Sequence, residues 1–333
     1  MNNTVFSLRR LSDEARLHII ISFDYPELIA YSLISAKTNS LAQSLKTKIQ
    51  EFAVYVRENT LGIGLYFNDD RAVSQFEIYN GGIARVAGDP IVSLDEIPIS
   101  VQISSDRTGY GHIRRSTWRN PRLSLFGWLQ HLRFLFTFSV SRLYIRMGDE
   151  IFDTVAIRNH LPEWKSVRVE NSLLDNSQKC FKLFSACTEN FEANLTHNLP
   201  QFPQKVGIQN FDEFTFYCPR TSPTKLEDLL ILNARNIDVE HFSVADVNRF
   251  LKCWMKMSNP RMKTLIIHST RVVNRNELMK GIKHKIMAEY QERMHDNDIP
   301  IAGAIEIRNM KGILAAIEIG NYLAPFIEMY IWD

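Results

Sequence analysis

The side chains best suited to covalent, acid–base or metal chemistry in this chain of 333 residues are four cysteines and nine histidines. Cys180, Cys187, Cys218 and Cys253 lack C-x-x-C spacing, so they indicate neither a zinc site nor thiol–disulfide exchange and read as buried thiols in a reducing compartment. Cys180 and Cys187 are seven apart with Phe181 and Phe184 between them, which is a core stripe of one helix. His241, His268, His284 and His295 fall outside the H-E-x-x-H and Cys/His patterns that hold zinc. His241 and His268 stand at strand ends and read as structural. The glycine-rich run GGIARVAGD lacks the Lys-Ser/Thr pair of a phosphate loop and reads as turn chemistry, and no G-x-S-x-G elbow occurs. RTGYGHIRR, with Arg107, Arg114 and Arg115, and GIKHK, with Lys280, Lys283, His284 and Lys285 in and around it, read as solvated basic segments. No catalytic residue, metal or cofactor is therefore expected.

Lys plus Arg total 39 against 37 for Asp plus Glu, a balance that provides no field to concentrate nucleic acid or an anionic membrane. Hydrophobic residues make up 45% and charged residues 23%, the composition of an ordinary globular protein. No apolar run approaches the length of a membrane span, and the first residues lack a signal-peptide pattern, so a cytoplasmic or nuclear location is expected.

The elements that must position these residues follow from periodicity. Ser12 is a helix N-cap with acidic residues behind it, and Ala15, Ile19, Ile20 and Phe23 follow on one face of a helix expected to end near Asp24. A second helix starts at Pro26 and carries Leu28, Ile29, Leu33 and Ile34. A third begins near Lys37 or Thr38 with Leu41, Leu45 and Ile49. Residues 52 to 117 alternate like short antiparallel strands among glycines. From Trp118, apolar-x-apolar pairs recur at Leu143/Ile145, Val167/Val169, Ala193/Leu195, Phe214/Phe216, Ile237/Val239 and Leu265/Ile267. Their spacings fall in the leucine-rich-repeat range of about 20 to 29 residues. Helical patterns fill several gaps, over Ser124 to Phe136, Ser177 to Thr188, Thr224 to Leu232 and Ser243 to Met257, with Thr224 and Glu227 at capping-box spacing. Three antiparallel strands, Ile301 to Ile307, Leu314 to Ile319 and Phe326 to Trp332, close the chain.

The strings LEDLLILN, DVNRFLKCW and SNPRMKTLII, in that order within residues 224 to 269, resemble the core motifs of the F-box-associated type 2 domain of a large nematode family of F-box proteins. IEIRNMKGILAAIEI is similar to the C-terminal strands of that family. The N-terminus resembles an F-box through Leu11-Ser12, Glu14, Ile19-Ile20, Glu27-Leu28 and Ser32-Leu33-Ile34-Ser35. It departs at Ser12, where that family has proline, and at Thr38, where many F-boxes have tryptophan.

Periodicity and resemblance together predict a mixed α+β and α/β architecture: by resemblance a three-helix F-box over residues 1–50 and an F-box-associated type 2-like domain over 118–333, and by strand alternation and repeat spacing a β-rich connecting segment over 51–117 and, within 118–333, an irregular leucine-rich-repeat-like array ending in antiparallel strands. The resemblance implies that Leu11, Ile19, Ile20, Pro26, Leu28, Ile29 and Leu33 dock on a Skp-type adaptor and through it a cullin, while the C-terminal domain holds a protein for ubiquitin transfer. Such a subunit is a non-enzymatic substrate receptor, whose part in catalysis is proximity. The alternative is a ligase-independent interaction module whose F-box has drifted, with Ser12 as the reason.

Overall fold

The structure is a computed structural model that describes residues 11–57, 60–67, 73–80, 99–106, 114–118, 123–146, 158–159, 164–170, 181–183, 185, 188–195, 204–219, 224–269, 271–287, 293–294, 300–301, 304–320 and 325–332. Two compact units are present, residues 1–143 with 150–153, and residues 144–149 with 154–333. The cysteine stripe of Cys180 and Cys187, the run GGIARVAGD and Arg107 lie outside the described residues. Arg114 and Arg115 fall on a strand.

The N-terminal unit opens with three short helices, each begun by a side chain that satisfies backbone N–H groups otherwise left without partners. In α1 (Asp13–Ile20) Ala15 N–H donates to Ser12 Oγ at 3.3 Å. Asp13 and Glu14 add negative charge at the positive end of the helix dipole. Asp24, expected at the end of this helix, instead starts the next one. In α2 (Tyr25–Ser32) Asp24 Oδ1 accepts from Glu27 N–H at 2.8 Å and Glu27 Oε2 accepts from Asp24 N–H at 3.0 Å, a reciprocal capping box with Pro26 in the first turn. In α3 (Ala36–Ser44) Ser35 and Thr38 exchange the same pair of bonds at 3.2 and 2.9 Å. Thr38 is buried by that role.

Strands β1 (Lys48–Arg57), β2 (Thr60–Tyr66), β3 (Val73–Asn80), β4 (Ile99–Asp106) and β5 (Arg114–Trp118) form an antiparallel meander in sequence order. Ser124 then caps α4 (Leu125–Leu135), whose Trp128, Leu129, Leu132 and Leu135 are buried. Strand β6 (Thr137–Arg146) starts beside β1, Thr137 N–H donating to Thr47 O at 2.9 Å. The ring of Tyr25 stacks on Phe67 at 3.8 Å and Phe67 meets Phe136 edge-on at 6.0 Å, joining α2 to the strand residues.

The C-terminal unit alternates strand and helix. Its strands β7 (Trp164–Glu170), β8 (Thr188–Asn194), β9 (Glu213–Tyr217), β10 (Asn236–Glu240) and β11 (Thr264–His268) pair in parallel. Between them lie α5 (Gln204–Gly207), α6 (Leu226–Leu230) and α7 (Val244–Met255). One ladder runs Val167, Phe191, Phe214, Ile237 and Leu265, at successive spacings of 24, 23, 23 and 28 residues. The β8 pair facing the core is thus Phe191/Ala193, two residues earlier than the Ala193/Leu195 pair expected from spacing. Rings of Phe191, Phe211 and Phe214 stack at 5.6 to 6.1 Å and fix that register by packing.

Two buried asparagines hold the helices of this unit in place. On α7 the apolar face of Val247, Phe250, Leu251 and Trp254 is buried as its periodicity requires, and the Asn248 amide beside it donates to Leu278 O at 2.6 Å and Lys280 O at 3.0 Å. Asn259, in the left-handed region at φ +51°, donates its amide to the carbonyls of Leu229, Leu230 and Leu232. The Leu230 and Leu232 carbonyls left open as α6 ends thereby find a donor, and the Leu229 carbonyl, which also accepts from Leu232 N–H, gains a second. At the start of α6 the expected Thr224 cap is absent: Asp228 Oδ2 accepts from Lys225 N–H at 2.9 Å, and the Thr224 hydroxyl donates to His241 O.

After α8 (Arg275–Leu278) come β12 (Lys285–Ile286), β13 (Arg293–Met294) paired with β14 (Pro300–Ile301), β15 (Ile305–Arg308), β16 (Leu314–Gly320) and β17 (Phe326–Trp332). The last three are antiparallel, and β17 pairs antiparallel with β11. Asn309 Oδ1 accepts from the Lys311 and Ile313 N–H groups to make the tight turn, in which Gly312 has φ +84°.

Candidate functional site

Each unit offers one surface. On the N-terminal helices, Ile20, Leu28 and Ile29 are buried, whereas Leu11, Ile19, Pro26 and Leu33 are half-buried. The amphipathic periods of α1 and α2 point the first group inward. The sequence reading missed that the open apolar residues of these helices are Ile21 and Ile34, 61% and 53% exposed, each just past the last turn of its helix. Ser12, standing where the F-box pattern has proline, begins α1 by capping it.

Beneath that surface, α2 and α4 are joined by Ser32 Oγ and His131 Nε2 at 2.7 Å, and Ser32 Oγ lies equally close to Ile29 O. A hydroxyl has one hydrogen to donate, so if it serves Ile29 O, His131 Nε2–H donates to Ser32. Burial lowers the His131 pKa and keeps the ring neutral.

In the C-terminal unit, the apolar partner of every alternating pair points into the core, and the residues between them form the opposite face of the sheet. Three of these come together across β9, β10 and β11. Tyr217 donates its hydroxyl to Asp238 Oδ2 at 2.7 Å, and His268 Nε2 lies 3.0 Å from Asp238 Oδ1. The Asp238 hydrogen bond raises the His268 pKa against the opposing effect of burial, with further help from Glu240 and Glu328. Burial, then the same carboxylate, raises the Tyr217 pKa. On β7 and β8, Arg168 bridges Glu170 and Glu192. Glu240 pairs with His241 at 3.3 Å.

An aspartate orienting an imidazole also occurs in acid–base sites, but among the described residues no serine, threonine or cysteine side chain is hydrogen-bonded to His268. No group of three or more His, Cys, Asp or Glu among the described residues is disposed to hold a metal ion. Neither Cys218 nor Cys253 forms a disulfide. The strand alternation of Asp238 and Glu240 with Ile237 and Val239 was the only signal for this polar face in the sequence. Bringing Tyr217 and His268 to Asp238 required the register.

Residues 202–267, which span α5 to β11, match the family model described as F-box associated, so the chain carries an F-box-associated domain. The matched segment includes both Tyr217 and Asp238, and it contains the buried Asn248 and Asn259 that bind the helix ends. No curated protein and no solved structure matches the chain. No helix among the described residues is long and apolar enough to cross a membrane.

Proposed function

We propose that the chain is the substrate-recognition subunit of a Skp-cullin-F-box ubiquitin ligase, non-catalytic itself, with the N-terminal helices binding the adaptor and the C-terminal unit holding the protein to be modified. The observation that carries this reading is the F-box-associated match over residues 202–267 in a chain whose first described elements are three short capped helices. Of the seven adaptor residues expected, Leu11, Ile19, Pro26 and Leu33 would meet the partner, extended by Ile21 and Ile34. Ile20, Leu28 and Ile29 would keep the helices in position. Large apolar side chains left in water at helix ends favour burial by a partner groove. The cytoplasm or nucleus, where such ligases work, is the location this role requires.

The test is co-purification of the full chain with a Skp-type adaptor, beside an Ile21→Asp plus Ile34→Asp variant whose exposed positions leave the fold intact. Retention of the adaptor by the wild type and its loss in the variant supports the reading. Absence of adaptor from the folded wild type removes it and favours a ligase-independent interaction module.

A further inference from the structure

Around α7, lysines gather from three segments. Lys252 on the helix and Lys256 just past its end stand one turn apart, a spacing at which like charges repel. Beyond α8, Lys280, Gly281 and Lys283 are exposed, and the buried Asn248 amide ties this turn to α7 through the Leu278 and Lys280 carbonyls. Gly281 has φ +72°, and a Cβ there would stand 3.4 Å from Lys252 Nζ. The Lys252 ammonium therefore lies against the backbone of the turn that carries Lys280 and Lys283. At the end of the helix, Met310 N–H donates to Met255 O at 2.9 Å, which brings the exposed Lys311 and Met310, itself 79% exposed, next to Lys256.

These five lysines form no ion pair among the described residues. The carboxylates of α7, α8 and β15 do not serve them. Asp246 holds Arg249 at 3.0 Å, and Glu306, opposite Lys285 in the β12–β15 ladder, holds Arg308 at 3.0 Å. Glu277 is exposed and pairs with none of the five. The chain as a whole sets 37 acidic residues against 39 basic ones, so this local excess is a product of the fold and not of composition. A buried amide and a left-handed glycine hold mutually repelling ammonium groups together, with an open methionine at one end.

We infer that this band docks an acidic segment of a partner protein, its carboxylates on Lys283, Lys280, Lys252 and Lys256 and an apolar side chain on Met310. Lys252 and Lys256 are about 6 Å apart along the helix axis. Two residues of extended chain span about 6.6 Å, so acids at alternate positions meet both. Methionine adapts to whatever apolar group accompanies them. A phosphate ligand would call for arginine forks, and the arginine of this helix face is already held by Asp246. Single-stranded nucleic acid needs aromatic platforms for its bases, whereas Phe250 and Trp254 of α7 are buried. That the partner is the protein captured for modification rests on the receptor role proposed above; the docking itself does not.

The experiment is fluorescence anisotropy with the full chain and a labelled peptide carrying a leucine and then glutamates alternating with serines, against the same peptide with glutamines in their place. The wild type is expected to bind the glutamate peptide at least about tenfold more tightly, and Lys252→Gln with Lys256→Gln to remove most of that preference. This pair of substitutions relieves a repulsion, so the melting temperature should equal or exceed the wild type's. Lys182→Gln with Lys205→Gln, an equal change of charge at exposed lysines elsewhere in the unit, should leave the preference in place. Met310→Ser gives an uncharged route to weaker binding. Equal affinity for the two peptides, or equal losses in the two double variants, overturns the inference. Tighter binding of single-stranded DNA or of phosphatidylserine vesicles at the same salt assigns the band to nucleic acid or to a membrane and overturns it too. Adaptor capture, measured on the same samples, reports separately on the receptor role.

Discussion

His268 Nε2 lies 3.0 Å from Asp238 Oδ1 on the neighbouring parallel strand, thirty residues away in sequence and one rung along from Glu240, the residue that His268 faces in the β10–β11 ladder. The partner raises the histidine's folded pKa above its ordinary value of 6.5. Its contribution to stability is therefore complete below pH 6.5 and is lost as the pH rises through the folded value. Asp238→Asn should move the His268 titration, followed by NMR, to lower pH and weaken that dependence, leaving the smaller effects of Glu240 and Glu328. An unchanged titration would show that the pair is not formed in solution.

His131 behaves in the opposite sense. Burial lowers its folded pKa below 6.5, so the unfolded chain binds the proton first and stability falls as the pH drops below 6.5 towards the folded value. Replacing His131 by Gln, which can still donate to Ser32, should flatten this acid limb in urea titrations while leaving stability above pH 7 within about 1 kcal/mol of the wild type.

Asn259→Ala should cost about 2 to 3 kcal/mol in urea unfolding, because the Leu230 and Leu232 carbonyls at the end of α6 lose their side-chain donor. Asn259→Gly separates the two demands on this residue. It suits φ +51° better than alanine but restores no hydrogen bond, so it should recover only part of the loss.

Gly320→Ala should destabilise by about 1 to 3 kcal/mol, since the new methyl group would meet the Phe326 ring. In the Phe326→Leu background the same substitution should cost less, and a double-mutant cycle measures the difference.

Much of this fold was legible wherever a local pattern decides the outcome. Ser12 and Ser243 cap the helices that their positions announce. The buried face of α7 follows directly from the 3.6-residue period. Local patterns failed where two readings compete for one residue. Asp24 ends no helix, because its carboxylate and Glu27 form a box that the proline between them made harder to notice. Thr224 has the right spacing to Glu227, but its hydroxyl is taken by the His241 carbonyl of a later turn. The β8 register shifted by two residues because alternation is unchanged by such a slip, and only the stacking of Phe191 on Phe211 and Phe214 distinguishes the alternatives.

The candidate sites were less accessible for the same reason. Apolar periodicity identifies helix faces but not which apolar residues remain outside once α1 to α4 have packed, so Leu28 and Ile29 could not be told from Ile34. The polar face of the C-terminal sheet consists of residues more than twenty apart, and only the strand register brings Tyr217, Asp238 and His268 together.

The account stands most directly on whether the N-terminal helices bind an adaptor. The measurement is a titration of a Skp-type adaptor onto the immobilised full chain, with the Ile21→Asp plus Ile34→Asp variant beside it and circular dichroism on both. Saturable one-to-one binding by the wild type, weakened at least about tenfold in a variant with an unchanged spectrum, is the predicted result. No binding by the folded wild type, or equal binding by the variant, would contradict it.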